Sequence, residues 1–300
     1  MVLVFDGTSR LGSAVCAQLL SEGRDVRVFT RTPEEGAALS LLGADVVSGD
    51  RLDPVTVRLA FRDVDQVVSC DPVSLHKRRR QITGERCGHL DLIRVASEAR
   101  VAHLVLVSAM GACADHPHEG WRLRHESETR LRASGLSHTI VRPTVSMESW
   151  AGPVGAAIIE GRRVTIPGPG TNPVNCIALE DVSNYVLLAL YHPGARGRTI
   201  EIGGPQNLTL LDVVETFERV SGRKARKRHL PLALLETAGR LLRPLSGAAS
   251  LRSAATVYLS SGERRFDPAP TLAEFPLRLT TLEQFAQRTY QAMTRGQGGE

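Results

Sequence analysis

The first twelve residues constrain the fold of this chain most strongly. An apolar run, Val2–Phe5, stops in a Gly/Thr/Ser turn and continues into an amphipathic stretch, Ser13–Glu22. This pattern predicts a strand, a tight turn and a helix. Such a turn directs backbone N–H groups and a helix N-terminus toward an anion. It is the usual seat of a dinucleotide pyrophosphate, so these residues predict a dinucleotide-binding α/β fold.

The glycine pattern of this turn is incomplete. Read as G-x-x-G-x-x-G, its three glycine positions hold Asp6, Ser9 and Gly12. Ser9 is small enough for close backbone approach, and Gly7 partly restores the flexibility that is lost. The carboxylate of Asp6 would repel a pyrophosphate, so a blocked site without a cofactor is one alternative. The candidate cofactor-binding residues of the turn are Gly7, Thr8, Ser9, Arg10, Leu11 and Gly12.

Strand and helix signals alternate through the first half of the chain. The predicted strands are Val2–Phe5, Val26–Thr30, Asp45–Ser48, Gln66–Cys70, His103–Ser108 and Thr139–Arg142. The predicted helices are Ser13–Glu22, Pro33–Leu42, Pro54–Phe61, Cys87–Ala99 and Arg122–Ala133, with C-cap glycines at Gly23, Gly43 and Gly135. This order predicts a doubly wound parallel Rossmann-type sheet, with the NAD(P)-binding core over residues 1–143.

The regular alternation of predicted strands and helices ends after Pro143. A turn-rich connector is followed by a predicted helix at Leu179–Tyr191 and a predicted strand at Thr199–Ile202. A further helix is expected to begin after Thr209, which would cap it together with Asp212. Residues 144–300 are therefore expected to form a smaller C-terminal substrate-binding lobe, partly interleaved with the core.

Composition excludes several classes of protein. The chain is 42% hydrophobic and 23% charged, as in ordinary soluble globular proteins. Nothing approaches the roughly 18 uncharged apolar residues of a membrane span, so no membrane partner is expected. The N-terminus runs straight into a strand, which predicts a cytoplasmic protein without a signal peptide. Five scattered cysteines without a C-x-x-C pair argue against a disulfide framework and against a zinc site.

The basic charge is concentrated in two runs. The net charge is +5, and the runs are His76–Arg80 and Arg223–His229. Aromatic residues make up only 4% of the chain and interrupt neither run. Both runs are therefore interpreted as solvated surface, and nucleic acid is not an expected partner.

Arginines stand where a phosphate of the cofactor would lie. Arg31 follows the second predicted strand, where NAD-selective sites usually carry an acidic residue that binds the ribose hydroxyls. A cation there suits the 2′-phosphate of NADP(H), and Arg10 could form the other side of the clamp. NADP(H) is thus favoured over NAD(H), while the alternative is that Arg31 is an ordinary exposed loop residue. Asp50 is placed to accept from an adenine amino group, and Asp53 is placed to cap the next helix before Pro54.

These motifs together resemble the NmrA-like atypical short-chain dehydrogenases/reductases. The likeness begins with three features: the turn at residues 6–12 with its incomplete glycine pattern, the sequence Thr30-Arg31-Thr32-Pro33, and Gly49-Asp50 followed by Asp53-Pro54. It continues through Val105–Ala112, Glu128, Leu131–Leu136, Thr139–Pro143, Met147-Glu148, Ala178–Val182, Gly203-Gly204-Pro205 and Thr280–Phe285. The resemblance covers nearly the whole chain and implies a Rossmann-type NAD(P)-binding core, with Pro143 beside the cofactor and substrate held by the C-terminal part.

The resemblance also implies a catalytic set that is incomplete here. Reductases of this kind use a Ser/Thr after the fifth strand, and Ser108 matches it. Their Tyr-x-x-x-Lys pair falls on Gly120 and Arg124, so both residues are missing. Arg124 can hold a ribose hydroxyl but cannot readily give up a proton. Ser108 and Arg124 are therefore the candidate catalytic residues.

Other groups in this region leave the chemistry open. The candidate acids are His116, His118, Glu119, His125 and Glu148. Asp115–Glu119 is interpreted as an exposed loop, with a histidine acid/base as the alternative. Spacing disfavours a metal site, no G-x-S-x-G elbow supports a hydrolase, and Cys113 has no evident activating partner.

Three functions share this one fold. The first is an NADP(H)-dependent reductase or isomerase of a small organic carbonyl compound or quinone. The second is a non-catalytic dinucleotide sensor, and the third is a cofactor-independent enzyme. The expected partners are a small-molecule substrate and, in a homodimer, a second copy of the chain.

Overall fold

The computed structural model describes residues 1–70, 92–242 and 255–295. Within these ranges the chain divides into two compact units. The first contains residues 1–70, 92–143 and 182–202, and the second contains 144–181, 203–242 and 255–295. The basic run His76–Arg80 and the first part of the predicted helix Cys87–Ala99 lie outside the described residues.

The first unit is built on a parallel Rossmann-type sheet, as the sequence predicts, but the sheet has seven strands where the core was predicted to have six. Its strands are β1 (Val2–Phe5), β2 (Val26–Thr30), β3 (Asp45–Ser48), β4 (Gln66–Ser69), β5 (His103–Val107), β6 (His138–Pro143) and β10 (Thr199–Ile202). Their order across the sheet is β10-β6-β5-β4-β1-β2-β3. The seventh strand, β10, comes from the interleaved segment and pairs with β6 at the edge.

Helices connect these strands and cover the sheet. They are α1 (Arg10–Ser21), α2 (Pro33–Leu41), α3 (Pro54–Ala60), α4 (residues 92–98), α5 (Glu119–Ala133) and α8 (Leu179–Tyr191). On one face, Leu3, Phe5, Leu104 and Ile140 pack with residues of α3 and α4 in a single apolar core. The strands are buried because helices lie on the sheet, which explains their continuous Val/Leu runs.

The strand order reverses at β1, which creates the crevice in which ligands of such sheets bind. β1 pairs with β2 on one side and with β4 on the other, and Phe5 stands in register with Phe29 and Ser69. The chain leaves both β1 and β4 at the carboxyl edge of the sheet. In open α/β sheets this switch point is the ligand-binding position.

Two helices begin three residues earlier than the sequence pattern indicates. α1 begins at Arg10 because the side chain of Ser9 accepts a hydrogen bond from the Gly12 N–H. α5 begins at Glu119 because the side chain of His118 caps it. Glycines follow three helices as predicted, with φ values of 71° at Gly23, 101° at Gly43 and 75° at Gly135.

The second unit contains short sheets and helices around its own core. Its strands are β7 (Val145–Ser146), β8 (Arg163–Pro167), β9 (Val174–Ile177), β11 (Asn207–Leu208) and β12 (Arg226–Leu230). Its helices are α6 (Met147–Trp150), α7 (Gly152–Ile159), α9 (Leu210–Ser221), α10 (Leu232–Leu242), α11 (residues 255–260), α12 (Ala269–Glu274) and α13 (Leu282–Arg295). α9 carries the predicted capping box of Thr209 and Asp212. No helix in the described ranges has the length and apolar character needed to span a membrane.

Candidate functional site

The turn after β1 is a close-packed junction between strand and helix. A Cβ atom on Gly12 would overlap the carbonyl oxygen of Asp6, so only glycine permits this approach. Ser9 donates through Oγ to the Cys70 carbonyl oxygen at 3.4 Å, which ties the turn to the end of β4. The first N–H groups of α1 have no acceptor within the helix, and the Gly12 N–H is taken by the Ser9 hydroxyl.

Asp6 adopts the backbone conformation that the missing glycine would supply. Its φ is 63°, a value that aspartate tolerates better than most residues. Gly7 does not have a positive φ, so the prediction that Gly7 restores flexibility is wrong. Gly7 is needed for space instead, since a Cβ there would lie 2.8 Å from a methyl carbon of Val28.

The carboxylate of Asp6 is ion-paired with the guanidinium of Arg51. Both side chains are about four-fifths buried, at 18% exposure each, so solvent screens the pair only in part. Arg51 also lies over the Phe5 ring, with 5.8 Å between the guanidinium carbon and the ring centroid. The negative charge predicted to repel a pyrophosphate is therefore offset by a neighbouring cation.

Arg10 and Arg31 are exposed at the same edge of the sheet. Neither arginine has an ion-pair partner among the residues that the structure describes. Between their backbones, the Thr8 hydroxyl lies 3.4 Å from the Thr30 hydroxyl and donates to Glu35 Oε2 at 3.3 Å. The two cations are thus available to an anion from solvent.

The remaining predicted cofactor contacts have local structural roles. Asp50 accepts from the Leu52 N–H at 3.0 Å, while Asp53 caps α3 through the Val55 N–H at 3.0 Å, as predicted. Leu11 is buried in α1. Pro143 ends β6 and accepts through its carbonyl oxygen from the Met110 N–H at 2.9 Å.

Ser108 is held by a buried carboxylate. Its hydroxyl donates to Glu128 Oε1 at 2.5 Å, and both residues are almost inaccessible to solvent. A serine hydroxyl can donate only one hydrogen bond, and that of Ser108 goes to Glu128. In this arrangement Ser108 has no second proton for a substrate oxygen, and its catalytic role stays a prediction.

Glu128 is the centre of an ionic network that joins α5, β6 and β10. Arg142 donates to its two carboxylate oxygens at 2.9 and 2.6 Å, and Arg132 donates at 3.0 Å. Arg142 also reaches Glu201 at 3.2 Å. Burial alone would raise the pKa of Glu128, but the Arg142 and Ser108 hydrogen bonds and the arginine charges hold that pKa below its ordinary value.

The loop before α5 is exposed only in part. Asp115, Pro117 and Glu119 are exposed, as predicted for Asp115–Glu119, whereas the two histidines of the loop are buried. His116 and His118 are 5% and 8% exposed. His116 stacks on Trp121 with 5.0 Å between ring centroids, and His118 meets the edge of the same ring. Burial and, to a smaller extent, the charges of His116 and Arg122 together lower the pKa of His118 to about 4.

The tautomer of His118 follows from its capping contact. Its Nδ1 accepts from the Gly120 N–H at 3.3 Å, so the proton of the neutral ring lies on Nε2. That Nε2 is buried and has no hydrogen-bond partner within the described structure. His118 is therefore a neutral donor near pH 7, at the end of α5 that faces the carboxyl edge of the sheet.

The other candidates are dispersed. Arg124 is buried on α5, one turn before Glu128. Glu148 lies in the second unit and caps the N-terminus of α8, because both its oxygens accept from the Leu179 N–H at 3.0 and 3.2 Å. The Cys113 thiol has a raised pKa, through burial and then the adjacent Asp115, so it is not an activated thiolate.

Two important groups were not among the predicted site residues. Arg51 lies between two aspartates in Gly49–Pro54. The one indication of its role in the sequence was the carboxylate of Asp6, which needs a cation nearby. Arg142 stands near the end of β6, and its signal is a cation directly after two buried apolar residues, Ile140 and Val141. Both act through partners that are distant in sequence.

The comparisons with known proteins agree with this architecture. The model of the NmrA-like family matches residues 1–286. The chain is 27% identical to the photosystem II assembly factor Ycf39 of Synechocystis sp., over 96% of this chain and 90% of that protein. It is 30% identical to the (4-alkanoyl-5-oxo-2,5-dihydrofuran-3-yl)methyl phosphate reductase of Streptomyces griseus, over 79% of this chain and 80% of that one.

A solved structure shares the fold. The NADPH complex of the NADPH-dependent quinone oxidoreductase QOR2 from Escherichia coli aligns with a TM-score of 0.78 and 20% identity. The alignment covers 97% of this chain and all of that one. Since the family match extends from the opening turn to the last helix, the chain belongs to the NmrA-like family.

Proposed function

We propose that this protein is an NADP(H)-dependent oxidoreductase that acts on a small organic carbonyl compound or a quinone. The observation that carries the proposal is the charge arrangement after β1 and β2. The acidic group in the turn is ion-paired with Arg51, while Arg10 and Arg31 have no ion-pair partner among the described residues. The 2′-phosphate of NADP(H) carries the negative charge that would pair with these two arginines.

The residues at the switch point fit a dinucleotide. Gly12 lets the backbone of the turn approach α1 closely, and Ser9 caps the N-terminus of α1. The hydroxyl oxygen of Ser69, at the end of β4, is buried without a hydrogen-bond partner within the described structure. We assign pyrophosphate binding to residues 7–12, the 2′-phosphate to Arg10 and Arg31, and a nicotinamide-ribose hydroxyl to Arg124.

A bound nicotinamide cofactor supplies or accepts a hydride. The protein residues bind and orient it, and the chain offers no Tyr-x-x-x-Lys pair to protonate a carbonyl oxygen. Since Ser108 donates to Glu128, the proton for a reduced product comes from water or from another group. A quinone tolerates this best, because its reduced oxygen can take a proton from solvent.

The named relatives support a reductase. The Streptomyces relative is named as a reductase of a furanone phosphate, and the E. coli structural neighbour as a quinone oxidoreductase. Both names describe reduction of a conjugated carbonyl system. A cytoplasmic location and a homodimer stay predictions from the sequence.

A second candidate is a dinucleotide sensor without turnover. The engagement of Ser108 with Glu128 favours it, because that contact removes the donor that a carbonyl reductase of this family would use. The cofactor site would be the same in both cases. The two functions therefore differ in turnover, not in dinucleotide affinity.

The test begins with a titration of the purified protein with NADPH and NADH, followed by the fluorescence of the reduced nicotinamide. NADPH is expected to bind at least tenfold more tightly. Equal affinities would refute the NADP(H) assignment, and binding of neither would support the cofactor-independent alternative. A panel of quinones and conjugated ketones with the preferred cofactor then separates the reductase from the sensor.

A further inference from the structure

The second basic run of the sequence forms a strand with an unusual arrangement of charge. Residues 226–230 form β12, which pairs in parallel with β8 as a two-stranded sheet. Arg226, Lys227, Arg228 and His229 are all exposed, so β12 has no buried face except at its end. The interpretation of this run as ordinary solvated surface does not explain why its cations are held on a regular strand.

The register places cations next to cations. Arg226 lies directly opposite Arg163, and Arg228 lies opposite the exposed Thr165, so Arg163, Arg226 and Arg228 share one face. Within the described ranges, Arg163, Arg226 and Arg228 have no ion-pair partner, whereas Lys227 interacts with the carboxylate of Glu218. Like charges opposite each other destabilise a strand pair. An external polyanion would relieve this repulsion.

The helix that follows adds an apolar element. α10 begins two residues after β12, and Leu234 in its first turn is 55% exposed. Leu232 and Leu235, beside it, are only half-buried. A leucine-rich helix that leaves these side chains accessible, next to an array of cations, has the two features of a segment that lies at a membrane interface.

We propose that β12, Arg163 and the first turn of α10 form a docking surface for an anionic lipid bilayer. The cations bind lipid phosphates, and Leu234 enters the region between headgroups and acyl chains. The chain would lie on the membrane without spanning it, which differs from the sequence-based expectation of no membrane partner. Nucleic acid is disfavoured because no Phe, Tyr or Trp lies between residues 218 and 257 to stack on bases.

The experiment is co-sedimentation of the full chain with vesicles. One set contains phosphatidylglycerol and phosphatidylcholine in equal parts, and the other contains phosphatidylcholine alone. Binding is expected only to the anionic vesicles. It should be lost between about 0.1 M and about 1 M salt, where the screening length falls from about 10 Å to about 3 Å.

The test variant is Arg163→Gln/Arg226→Gln/Arg228→Gln, which removes the three cations of the shared face. Each cation near an anionic membrane strengthens binding by about fivefold, so the triple variant should bind about a hundredfold more weakly. The control is Arg62→Gln/Arg130→Gln/Arg278→Gln, which removes the same charge from three exposed and separate positions. The control should retain at least a tenth of the wild-type affinity.

Leu234→Ser tests the apolar contribution and is expected to weaken vesicle binding several-fold. Thermal unfolding followed by circular dichroism checks the fold, and the triple variant should melt at the same temperature as the wild type or higher. Equal binding of the triple variant and its control would overturn the proposal. So would binding of wild type to neutral vesicles, an absence of vesicle binding, or tighter binding of a single-stranded oligonucleotide at the same salt.

Discussion

Arg51 and Asp6 form an ion pair at the turn after β1, although 45 positions separate them in the chain. Asp6 has the positive φ of a turn glycine, and Arg51 offsets the charge that aspartate brings. The pair is nearly neutral as a unit. It therefore replaces a glycine at the turn after β1 without leaving an uncompensated anion there.

A double-mutant cycle on this pair should show opposite effects on NADPH affinity. Arg51→Gln leaves the carboxylate of Asp6 uncompensated and should weaken NADPH binding by about tenfold, or about 1.4 kcal/mol. Asp6→Asn leaves Arg51 without its carboxylate partner and should tighten NADPH binding. The double variant should fall between the two, with dissociation constants measured by NADPH fluorescence. If both single variants weaken binding equally, then Asp6 does not face the phosphates.

Arg31→Ala should separate the two nicotinamide cofactors. Loss of a charge-assisted contact costs about 1.5–3 kcal/mol, so NADPH should bind tenfold more weakly or worse. NADH affinity should change little, because NADH has no 2′-phosphate. Arg62→Ala, which removes another exposed arginine, is the matched control. A parallel loss of NADH affinity would assign Arg31 to a different part of the cofactor.

Glu128→Gln should strongly destabilise the first unit. The substitution leaves Arg142 and Arg132 without their buried counter-charge, and breaking a buried ion pair costs about 3–5 kcal/mol. Glu201→Gln, at the exposed end of the network, should cost less than about 1 kcal/mol. Urea denaturation measures both. Since the pKa of Glu128 is lowered on folding, its stabilisation is present above its ordinary pKa of 4.5 and is lost as the pH falls below it.

Ser108→Ala should lower stability by about 1–3 kcal/mol, because a hydrogen bond to a buried carboxylate is lost. With a verified substrate, kcat should change little. Unfolding curves and steady-state rates measured on the same preparations separate these effects. A hundredfold lower kcat at unchanged stability would return Ser108 to the catalytic role implied by the family resemblance.

His118 should make stability depend on pH in a mildly acidic range. Its pKa falls from an ordinary 6.5 to about 4 on folding, so the unfolded chain binds more protons between these values. The free energy of unfolding should therefore decrease as the pH falls from 6.5 to 4, by about 2–3 kcal/mol. His118→Gln should flatten this slope relative to wild type. An identical slope in the variant would show that His118 is not the group responsible.

The strands of the first unit could be predicted because each is a short apolar run bounded by a helix or a turn signal. Val2–Phe5, Val26–Thr30 and Asp45–Ser48 have the same bounds in the structure. The first residues of the helices were harder to predict, because α1 and α5 are capped by side chains just outside the apolar pattern. A histidine cap such as His118 has no strong sequence signal, since Ser, Thr, Asp and Asn are the usual capping residues.

The electrostatic partners could not be predicted from local sequence. Asp6 was identified as an unfavourable residue, but the cation that offsets it follows β3, two strands away in the sheet. Likewise, Ser108 matched a family motif, while the carboxylate that engages it lies one helix later. Charge compensation between distant segments depends on strand order and register, which local patterns do not specify.

The late position of β10 in the chain has a consequence for biosynthesis. This strand covers the edge of β6, yet a ribosome must first release residues 144–181. Until then the side chains of His103 and Thr139 lack the carbonyl groups of Ala189 and Ala195, to which they hydrogen-bond in the native fold. A nascent chain that ends near Pro143 would present an open sheet edge, the kind of surface that chaperones bind and that aggregates. The cofactor-binding half should therefore not work as a portable module cut at that residue, and its expression alone should yield insoluble protein.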